Sequence, residues 1–289
     1  MPKTLEIIIG DVKKVSQELA ERTVKEIEEA RKNGRNYNIA CAKGSSAVKY
    51  YEALKEIENG GFCFTNVKAF CIDEDLNATT GYDFARNNLP KGISVEGVRA
   101  RFSYDGKAVD KDLLTPIIAA NPLIYSHRGR EIAIQPQNAI RSLSYGINKV
   151  CTGYEDKIAS SGGIDTAVIG LGVDPLHIGS DFPPTKKESR THLAEKADAN
   201  GNIIGYAMTM GIATLCSAKK GVLFAQGEKK ADGVKELLEC DIDENCPPSY
   251  IRDMDNLIVA LDQGAASRLD FDKLREIYKD RELKCQNSI

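Results

Sequence analysis

The stretch NIACAKGSSAVKYYEAL, residues 38–54, joins a strand to a helix through a short run of small residues. Residues 37–42 are apolar at nearly every position, which predicts a strand that is buried on both faces. A glycine and two serines follow, and the spacing of apolar residues then predicts a helix from residue 47 to 60. Strands that are buried on both faces are typical of parallel sheets with helices on each side. This stretch therefore predicts an α/β protein.

The same alternation of strand and helix recurs along the chain. We predict a three-layer α/β fold in which a mostly parallel sheet carries helices on both faces, as in a modified Rossmann-like fold. No linker or repeat interrupts residues 1–289, which indicates a single domain, with an insertion around residues 115–145. The other predicted strands are 67–72, 164–172, 221–227 and 257–261, and the other predicted helices are 12–31 (Asp11 as N-cap, Gly34 as stop), 230–239 and 271–283.

The amino-acid composition and net charge of the chain restrict the classes of partner that it is expected to bind. The chain has 289 residues, of which 42% are hydrophobic and 28% charged, and its net charge is −3. This charge gives no general attraction to nucleic acid or to an anionic membrane, and no apolar run approaches the ~20 residues of a membrane span. The start of the chain lacks the pattern of a signal peptide.

The eight cysteines form no CxxC pair, so we expect free buried thiols and a cytoplasmic protein.

Polar or glycine-rich residues follow four of the predicted strands. In open parallel sheets, ligands bind outside the carboxyl ends of the strands. Four such ends at one rim predict a binding site more strongly than any one of them alone. The four groups are Gly44–Ser46, Asp73–Glu74, Asp174–Asp181 and Gly227–Lys230.

The group Gly44, Ser45 and Ser46 has the chemistry of a phosphate site. Small residues let backbone N–H groups approach an anion, the helix N-terminus adds partial positive charge, and two hydroxyls can donate hydrogen bonds. Lys230 opens a later helix and is a candidate for the same phosphate. An ordinary turn with a serine cap, and a solvated lysine beside Lys229, are the competing interpretations.

Asp73 and His177 are candidates for proton transfer. Asp73 directly follows a buried strand, where partial desolvation would raise the pKa of its carboxyl toward the neutral range that a general base requires. The alternative is that Asp73 or Asp75 caps the next turn. His177 follows another strand, with Asp174 nearby, and a histidine suits proton transfer near neutral pH. A hydrogen-bonded loop histidine is the alternative. No histidine or cysteine spacing indicates a metal, and we expect no cofactor.

Taken together, five segments resemble the glucosamine-6-phosphate deaminase/isomerase and 6-phosphogluconolactonase superfamily, and they occur in the order that this family has. The family's phosphate loop, base segment, catalytic-loop strand, lysine segment and C-terminal turn correspond in turn to NIACAKGSSAVKYYEAL (38–54), FCIDEDLNATTGYDFARNNL (70–89), YEDKIASSGGIDTAVIGLGVD (154–174), YAMTMGIATLCSAKKGVLFAQGEKKADGV (206–234) and PPSYIRDMDNLIVALDQGAASRL (247–269).

The resemblance implies a role for each candidate. The phosphate site would comprise Gly44, Ser45, Ser46 and Lys230. Asp73 matches the base that moves a proton between C2 and C1 of the open-chain sugar, and Asp174 and His177 match the pair that helps to open the ring. The further candidates for substrate contact are Lys43, Glu74, Asp181 and Arg190.

The catalytic loop departs from the deaminase pattern. Asp-Gly-His is replaced by Asp174-Pro175-Leu176-His177, which inserts one residue and a proline with a fixed φ. Residues 177–183 resemble the lactonase sequence His-x-Ala-Ser-Leu-Phe-Pro. The arginine-bearing segment that follows in deaminases is shortened, and Gln263 stands where a glutamate is common.

Three functions remain open from the sequence. The first is an isomerase or deaminase that acts on hexosamine 6-phosphate, with Asp73 as base and His177 in ring opening. The second is a 6-phosphogluconolactonase-type hydrolase in which His177 activates water. The third is a protein that binds a sugar phosphate without turnover. All three predict a small sugar phosphate as the partner, and the chain is a candidate homo-oligomer.

Overall fold

The structure is a computed structural model, and it describes most of the chain. The described residues are 3–75, 80–97, 103–104, 107–108, 123–127, 130–134, 149–173, 176–178, 187–197, 203–243 and 246–288. Most of the predicted insertion around 115–145 lies outside them, and its described parts, 123–127 and 130–134, pair as antiparallel strands.

The strands follow one another along the chain with these bounds: β1 (Thr4–Gly10), β2 (Tyr37–Cys41), β3 (Val67–Cys71), β4 (Asp73–Asp75), β5 (Ser94–Glu96), β6 (Ser103–Tyr104), β7 (Lys107–Ala108), β8 (Leu123–His127), β9 (Arg130–Ile134), β10 (Thr166–Val173), β11 (Leu176–Ile178), β12 (His192–Ala197), β13 (Ile203–Thr209), β14 (Lys220–Ala225), β15 (Asn256–Leu261) and β16 (Glu282–Ser288). The main sheet has the order β16-β1-β15-β14-β10-β2-β3-β5, and every pair along it is parallel.

Helices cover both faces of this sheet. They are α1 (Val12–Lys32), α2 (Val48–Asn59), α3 (Thr80–Asn88), α4 (149–160), α5 (Ile212–Cys216), α6 (Ala231–Glu239), α7 (Gln263–Ala266) and α8 (Phe271–Ile277). One apolar core forms between the sheet and α1, α2 and α3, and a second forms between the opposite face and α4, α5, α6 and α8. The predicted three-layer fold is confirmed.

Helix α1 illustrates how the local sequence determines an element. The side chain of Asp11 accepts hydrogen bonds from the backbone N–H groups of Lys13 and Lys14, both at 3.0 Å, and so caps the first turn. After the last turn, Gly34 has a φ of 67°, in the left-handed region that favours glycine. The N-cap and the stop that were predicted from the sequence are both confirmed.

The chain reverses its direction of travel across the sheet between β2 and β10. From β2 it proceeds to β3 and β5 on one side, whereas from β10 it proceeds to β14 and β15 on the other. In an open α/β sheet, such a switch point opens a crevice at the carboxyl ends of the two strands, where ligands bind. This topology therefore predicts the position of a site before any side chain is considered.

Three strands of the main sheet, β1, β5 and β16, were missed by the sequence analysis. Strand β1 carries Glu6 among apolar residues, and this carboxylate is 8% exposed and accepts two hydrogen bonds of 2.8 Å from Arg22. Strand β16 occupies part of the segment 271–283 that was predicted as a helix. That prediction is wrong beyond Ile277, because the backbone of β16 pairs with distant β1. The Arg281 guanidinium strengthens this connection by donating to the Thr4 carbonyl at 3.0 Å.

All eight cysteines are free thiols, as predicted. The expectation that they are buried is wrong for Cys63 and Cys285, which are exposed. None of the helices in the described part of the chain has the length and apolar character that crossing a membrane requires.

Candidate active site

A cavity of about 350 Å³ opens at the switch point, beyond the carboxyl ends of β2 and β10. Ala42 and Leu171 bring the ends of these two strands into its wall, and the glycines Gly44, Gly170 and Gly172 keep that wall open. The polar side chains that line it are Lys43, Ser45, Ser46, Asp73, His177 and Lys230. Residues from four distant parts of the sequence therefore meet in one cavity.

Two similar strand-to-helix connections border the cavity. After β2, Gly44 leads into a 3-10 turn, Ser45–Ala47, which continues directly into α2. After β14, Gly227 leads into a second 3-10 turn, Glu228–Lys230, which continues into α6. Both helices thus begin at the cavity, where their free N–H groups favour an anion.

Hydrogen bonds hold the two connections together. The Gln226 side-chain amide, just before Gly227, donates to the Ser46 carbonyl at 2.8 Å. The backbone N–H of Gly227 donates to both carboxylate oxygens of Asp262, at 3.0 and 2.9 Å, with φ of 84° at this glycine. On the other side, the Tyr51 hydroxyl donates to the Ala42 carbonyl at 3.1 Å. The loops are therefore positioned by the surrounding fold.

Lys230 brings a cation to the cavity from the start of α6. Its ammonium donates a hydrogen bond of 2.8 Å to the carbonyl of Leu171, near the end of β10. Burial lowers the pKa of this lysine from its ordinary value. A partly desolvated ammonium interacts with an anion more strongly than one surrounded by water.

Asp73 brings a carboxylate to the opposite side of the cavity. It is 5% exposed and lies at the start of β4, which pairs with β13 in a small antiparallel sheet. The Lys43 ammonium lies 3.5 Å from the Asp73 carboxylate and 3.2 Å from that of Asp75. Burial alone would lower the pKa of Lys43, but these two carboxylates outweigh it and raise the pKa above its ordinary value. Lys43 is therefore a cation placed between the loop Gly44–Ser46 and Asp73.

Glu74 faces away from the cavity, because successive side chains of a strand point to opposite sides. Its carboxylate accepts hydrogen bonds from the N–H groups of Gly81 and Tyr82, at 2.7 and 2.9 Å, and so caps the N-terminus of α3. Burial raises the pKa of Glu74 despite these bonds. The side chain is a structural cap, and it is absent from the lining of the cavity.

His177 reaches the cavity from a short strand that folds back on β10. β11 pairs with β10 in antiparallel register, with His177 opposite Gly172 and Leu176 opposite Val173. A Cβ atom added to Gly172 would lie only 2.0 Å from Cε1 and 2.3 Å from Nε2 of the imidazole. The ring therefore packs directly on the bare backbone of Gly172, which only a glycine permits.

Seven of the candidates from the sequence meet in this cavity: Lys43, Gly44, Ser45, Ser46, Asp73, His177 and Lys230. The candidates Asp174 and Asp181 lie outside the described residues. Arg190 lies elsewhere, on a second cavity of about 600 Å³ that Cys151 and Glu155 also line. There its guanidinium is 3.3 Å from the Glu155 carboxylate.

Glu155 stabilises the base of that second cavity. Its carboxylate accepts a hydrogen bond from the Thr191 N–H at 3.0 Å and others from the hydroxyls of Thr191 and Thr214. Burial would raise the pKa of Glu155, but these bonds, together with that from Arg190, outweigh it and hold the pKa below its ordinary value. The ionised carboxylate is thus favoured in the folded state.

We expect the Glu155→Gln protein to be less stable than the wild type at neutral pH, by about 1–3 kcal/mol, because a buried charged acceptor is lost. The folded-state pKa is depressed, so Glu155 contributes its stability above the ordinary carboxyl pKa and loses it as the pH falls through the folded-state value. The difference in melting temperature should therefore shrink on acidification below about pH 4.5. Melting curves from pH 7 to 3 measure it, with exposed Glu188→Gln as control; a constant difference would contradict the prediction.

The sequence analysis missed Gly172 and Thr80. Thr80 accepts a hydrogen bond of 3.1 Å from Lys43 and donates one of 2.6 Å to Asp75, which orients the lysine. The dipeptide Asp174-Pro175 is typical of a turn, and it was a signal in the sequence for the antiparallel pairing of His177 with Gly172. Among the described residues, no group of three or more His, Cys, Asp or Glu side chains is placed to hold a metal ion.

Comparison with known proteins places the chain in a family. The family model of glucosamine-6-phosphate isomerases/6-phosphogluconolactonases matches residues 107–259, more than half of the chain. A glucosamine-6-phosphate deaminase of Clostridium novyi is 36% identical over 246 residues, which cover 81% of this chain and 88% of that protein.

Solved structures agree on the fold. The structure of a monomeric glucosamine-6-phosphate deaminase superposes with a TM-score of 0.65 at 22% identity, over 92% of this chain and all of the other. The 6-phosphogluconolactonase of Trypanosoma brucei superposes with a TM-score of 0.62 at 18% identity, over 93% of this chain and all of the other. The chain belongs to the family of glucosamine-6-phosphate isomerases and 6-phosphogluconolactonases.

Proposed function

We propose that this protein is a glucosamine-6-phosphate deaminase/isomerase. The observation that carries the proposal is the meeting of a buried carboxylate, Asp73, with an imidazole and the glycine–serine loop Gly44–Ser46 in one cavity at the switch point. The relative of Clostridium novyi, at 36% identity, is a glucosamine-6-phosphate deaminase. The proposal assigns phosphate binding to the loop, proton transfer to Asp73 and ring opening to His177.

The phosphate of the substrate would bind at the two strand-to-helix connections. The N–H groups and hydroxyls of Ser45 and Ser46 would donate to its oxygens, and Lys230 would add a charge-assisted hydrogen bond. The ammonium of Lys43 would add positive potential at the side of the loop that faces Asp73. A phosphate fixed in this way would orient the sugar chain across the cavity, toward Asp73 and His177.

Asp73 would move the proton that converts the aldose into the ketose. In the open-chain 2-amino aldehyde, its carboxylate would take the proton from C2 and return it to C1. The C1 oxygen gains a proton and the amino nitrogen loses one, which leaves a hydroxyl at C1 and an imine at C2. Water then adds to this imine and ammonia leaves, so that the ketose phosphate is formed. His177 would serve the preceding step, in which the ring oxygen receives a proton as the ring opens.

One observation favours a 6-phosphogluconolactonase instead. The sequence from His177 to Pro183 resembles the lactonase loop more closely than the deaminase loop. In that function His177 would activate a water molecule to attack the C1 carbonyl of the phosphorylated lactone, and Asp73 would take no part in the chemistry. Both functions use the same phosphate loop.

A paired assay distinguishes the candidates. The purified protein is supplied with glucosamine 6-phosphate while ammonia and ketose phosphate are followed, and in parallel with 6-phosphogluconolactone while acid release is followed. We expect turnover of the amino sugar. Turnover of the lactone alone would overturn the proposal in favour of the hydrolase, and binding of both compounds without turnover would leave a sugar-phosphate-binding protein.

Replacing Lys230 by methionine tests the phosphate site, because methionine keeps the apolar stem and removes the charge. We expect KM for glucosamine 6-phosphate to rise by about 10- to 100-fold, since a hydrogen bond to a charged group contributes about 1.5–3 kcal/mol. kcat should change far less, because the phosphate is bound alike in ground and transition states. The control is Lys229→Met, an exposed neighbour outside the cavity lining. An equal rise of KM in both variants would count against the assignment.

A further inference from the structure

Two cysteines outside the lining of the candidate active site interact with each other. Cys240 follows the last residue of α6, and Cys246 precedes the 3-10 helix Pro247–Asp253. Their thiols are hydrogen-bonded to each other. Five residues separate them along the chain, so a bond between the two sulfurs would close a short loop.

The main chain at both cysteines is held by the same arginine-containing segment. Arg252, which is 5% exposed, donates from its guanidinium to the Cys240 carbonyl, and the Ser249 N–H donates to the Cys246 carbonyl at 2.8 Å. The Arg252 guanidinium also lies over the ring of Tyr278, at 5.1 Å from its centroid, and the Tyr278 hydroxyl donates to the Leu238 carbonyl at 3.0 Å. The main chain at both cysteines is therefore held by one folded segment, which fixes the position of the two interacting side chains.

The two thiols differ in their access to solvent. Cys246 is 4% exposed, whereas Cys240 is half-buried and is followed by the exposed residues Asp241 and Ile242. Burial, with the contact to Cys240, raises the pKa of Cys246 to about 12. A soluble oxidant would thus reach Cys240 first, and Cys246 would react second.

We propose that Cys240 and Cys246 are a reversible dithiol–disulfide pair, oxidised by a small disulfide of the glutathione type. The Cys240 thiolate attacks one sulfur of the oxidant, the sulfur–sulfur bond of the oxidant breaks, and one glutathione thiolate leaves. The Cys246 thiolate then attacks the Cys240 sulfur and expels the second glutathione. The two cysteines lose two electrons, one oxidised glutathione becomes two reduced molecules, and the two thiol protons pass to the departing thiolates.

The bridge would join two elements that lead to the cavity. Helix α6 lies between Lys230, at its N-cap, and Cys240, at its C-cap, and the segment Pro247–Asp253 packs against β11, the strand of His177. Closing the loop restrains the unfolded chain and ties these elements together. We expect the oxidised protein to melt a few degrees higher than the reduced protein.

A second thiol pair provides an internal control. Cys41 and Cys71 face each other in register on the adjacent strands β2 and β3, and their thiols are also in contact. Both are buried in the centre of the sheet, 4% and 1% exposed, where an oxidant has no access. Contact alone would make the two pairs equally reactive, whereas the proposal requires that only Cys240 and Cys246 react.

The experiment treats the folded full-length protein with excess oxidised glutathione, blocks the remaining thiols with iodoacetamide and maps the tryptic peptides by mass spectrometry. Both cysteines fall in one peptide, residues 236–252, which should lose two hydrogens and take up no block, and dithiothreitol should reverse this change. Cys41 and Cys71 should remain unbridged. The proposal is overturned by a peptide 236–252 that still accepts two blocking groups, by a stable glutathione adduct in the wild type, or by a bond between two chains through Cys240.

Two variants sharpen the test. In Cys246→Ser the second step is impossible, so glutathione should stay attached to Cys240. In Cys240→Ser, buried Cys246 should remain unmodified. If either variant fails to fold, the wild-type peptide map still decides the question. None of these measurements uses turnover, so their outcome is independent of the proposed deaminase activity.

Discussion

Replacing Asp73 by asparagine is expected to lower the turnover of glucosamine 6-phosphate by about 10²- to 10⁴-fold, the contribution that a general base makes to a rate. Asparagine has nearly the same shape as aspartate, so the cavity should keep its form. It cannot accept the proton from C2, however. Ammonia release measured at saturating substrate tests the effect on kcat directly.

Asp75→Asn is the matched control for this variant. Both carboxylates belong to β4 and both pair with Lys43, at 3.5 and 3.2 Å, so each variant removes one ionic partner of the same lysine. Only Asp73 lines the cavity. We expect Asp75→Asn to retain turnover within several-fold of the wild type, and an equal loss in both variants would mean that Lys43, rather than the Asp73 carboxylate, had been disturbed.

The same variant separates the two candidate enzymes. If the protein were a lactonase, hydrolysis of 6-phosphogluconolactone would depend on His177 and would survive Asp73→Asn. If it is a deaminase, the proton transfer between C2 and C1 depends on Asp73, because the cavity lining that the structure describes holds no other carboxylate. Deaminase turnover that persists without the Asp73 carboxylate would refute the mechanism proposed above.

The layers of the fold were predictable from the sequence because the central strands are apolar on both faces. Strand 257–261 shows this pattern without interruption, and strand 37–42 shows it at every position except Asn38. β1 and β16 were not predictable in the same way. Glu6 interrupts the first, and its burial depends on Arg22, whereas the second is a polar edge strand that exists because it pairs with β1. Such contacts are made with residues far away in the sequence.

The candidate site was predictable to the extent that it depends on strand ends. Asp73, His177 and Ser45 follow strands whose carboxyl ends must meet, so their common cavity follows from topology. Glu74 and Arg190 are different. Their chemistry equally suits a substrate contact, and what excludes them from the cavity is a local partner, the cap of α3 in one case and Glu155 in the other. Sequence spacing does not reveal which partner a charged side chain takes.

The sequence analysis missed Gly172 because the role of this glycine is to leave space for another residue. The imidazole of His177 occupies the position where a side chain would begin, so any Cβ at residue 172 displaces the ring. We expect Gly172→Ala to lower turnover by about 100-fold, the loss that a misplacement of about 1 Å causes in a catalytic group. Both the deaminase and the lactonase mechanism use His177, so the expectation holds for whichever substrate is turned over.

Gly153→Ala is the control, because a Cβ atom added to Gly153, on the exposed side of α4, meets no atom within 4 Å. It should keep the turnover of the wild type. Circular dichroism and melting curves of both variants establish that each is folded before rates are compared.

A double-mutant cycle identifies the imidazole as the group that Gly172→Ala disturbs. Asparagine at position 177 removes the ring and the clash together, so the double variant Gly172→Ala/His177→Asn should be no slower than His177→Asn alone. Residues that act as one unit give such non-additive losses. If the two losses multiply instead, Gly172 acts on the cavity by a route that does not pass through His177, and the packing of the ring on this glycine is not what the active site requires.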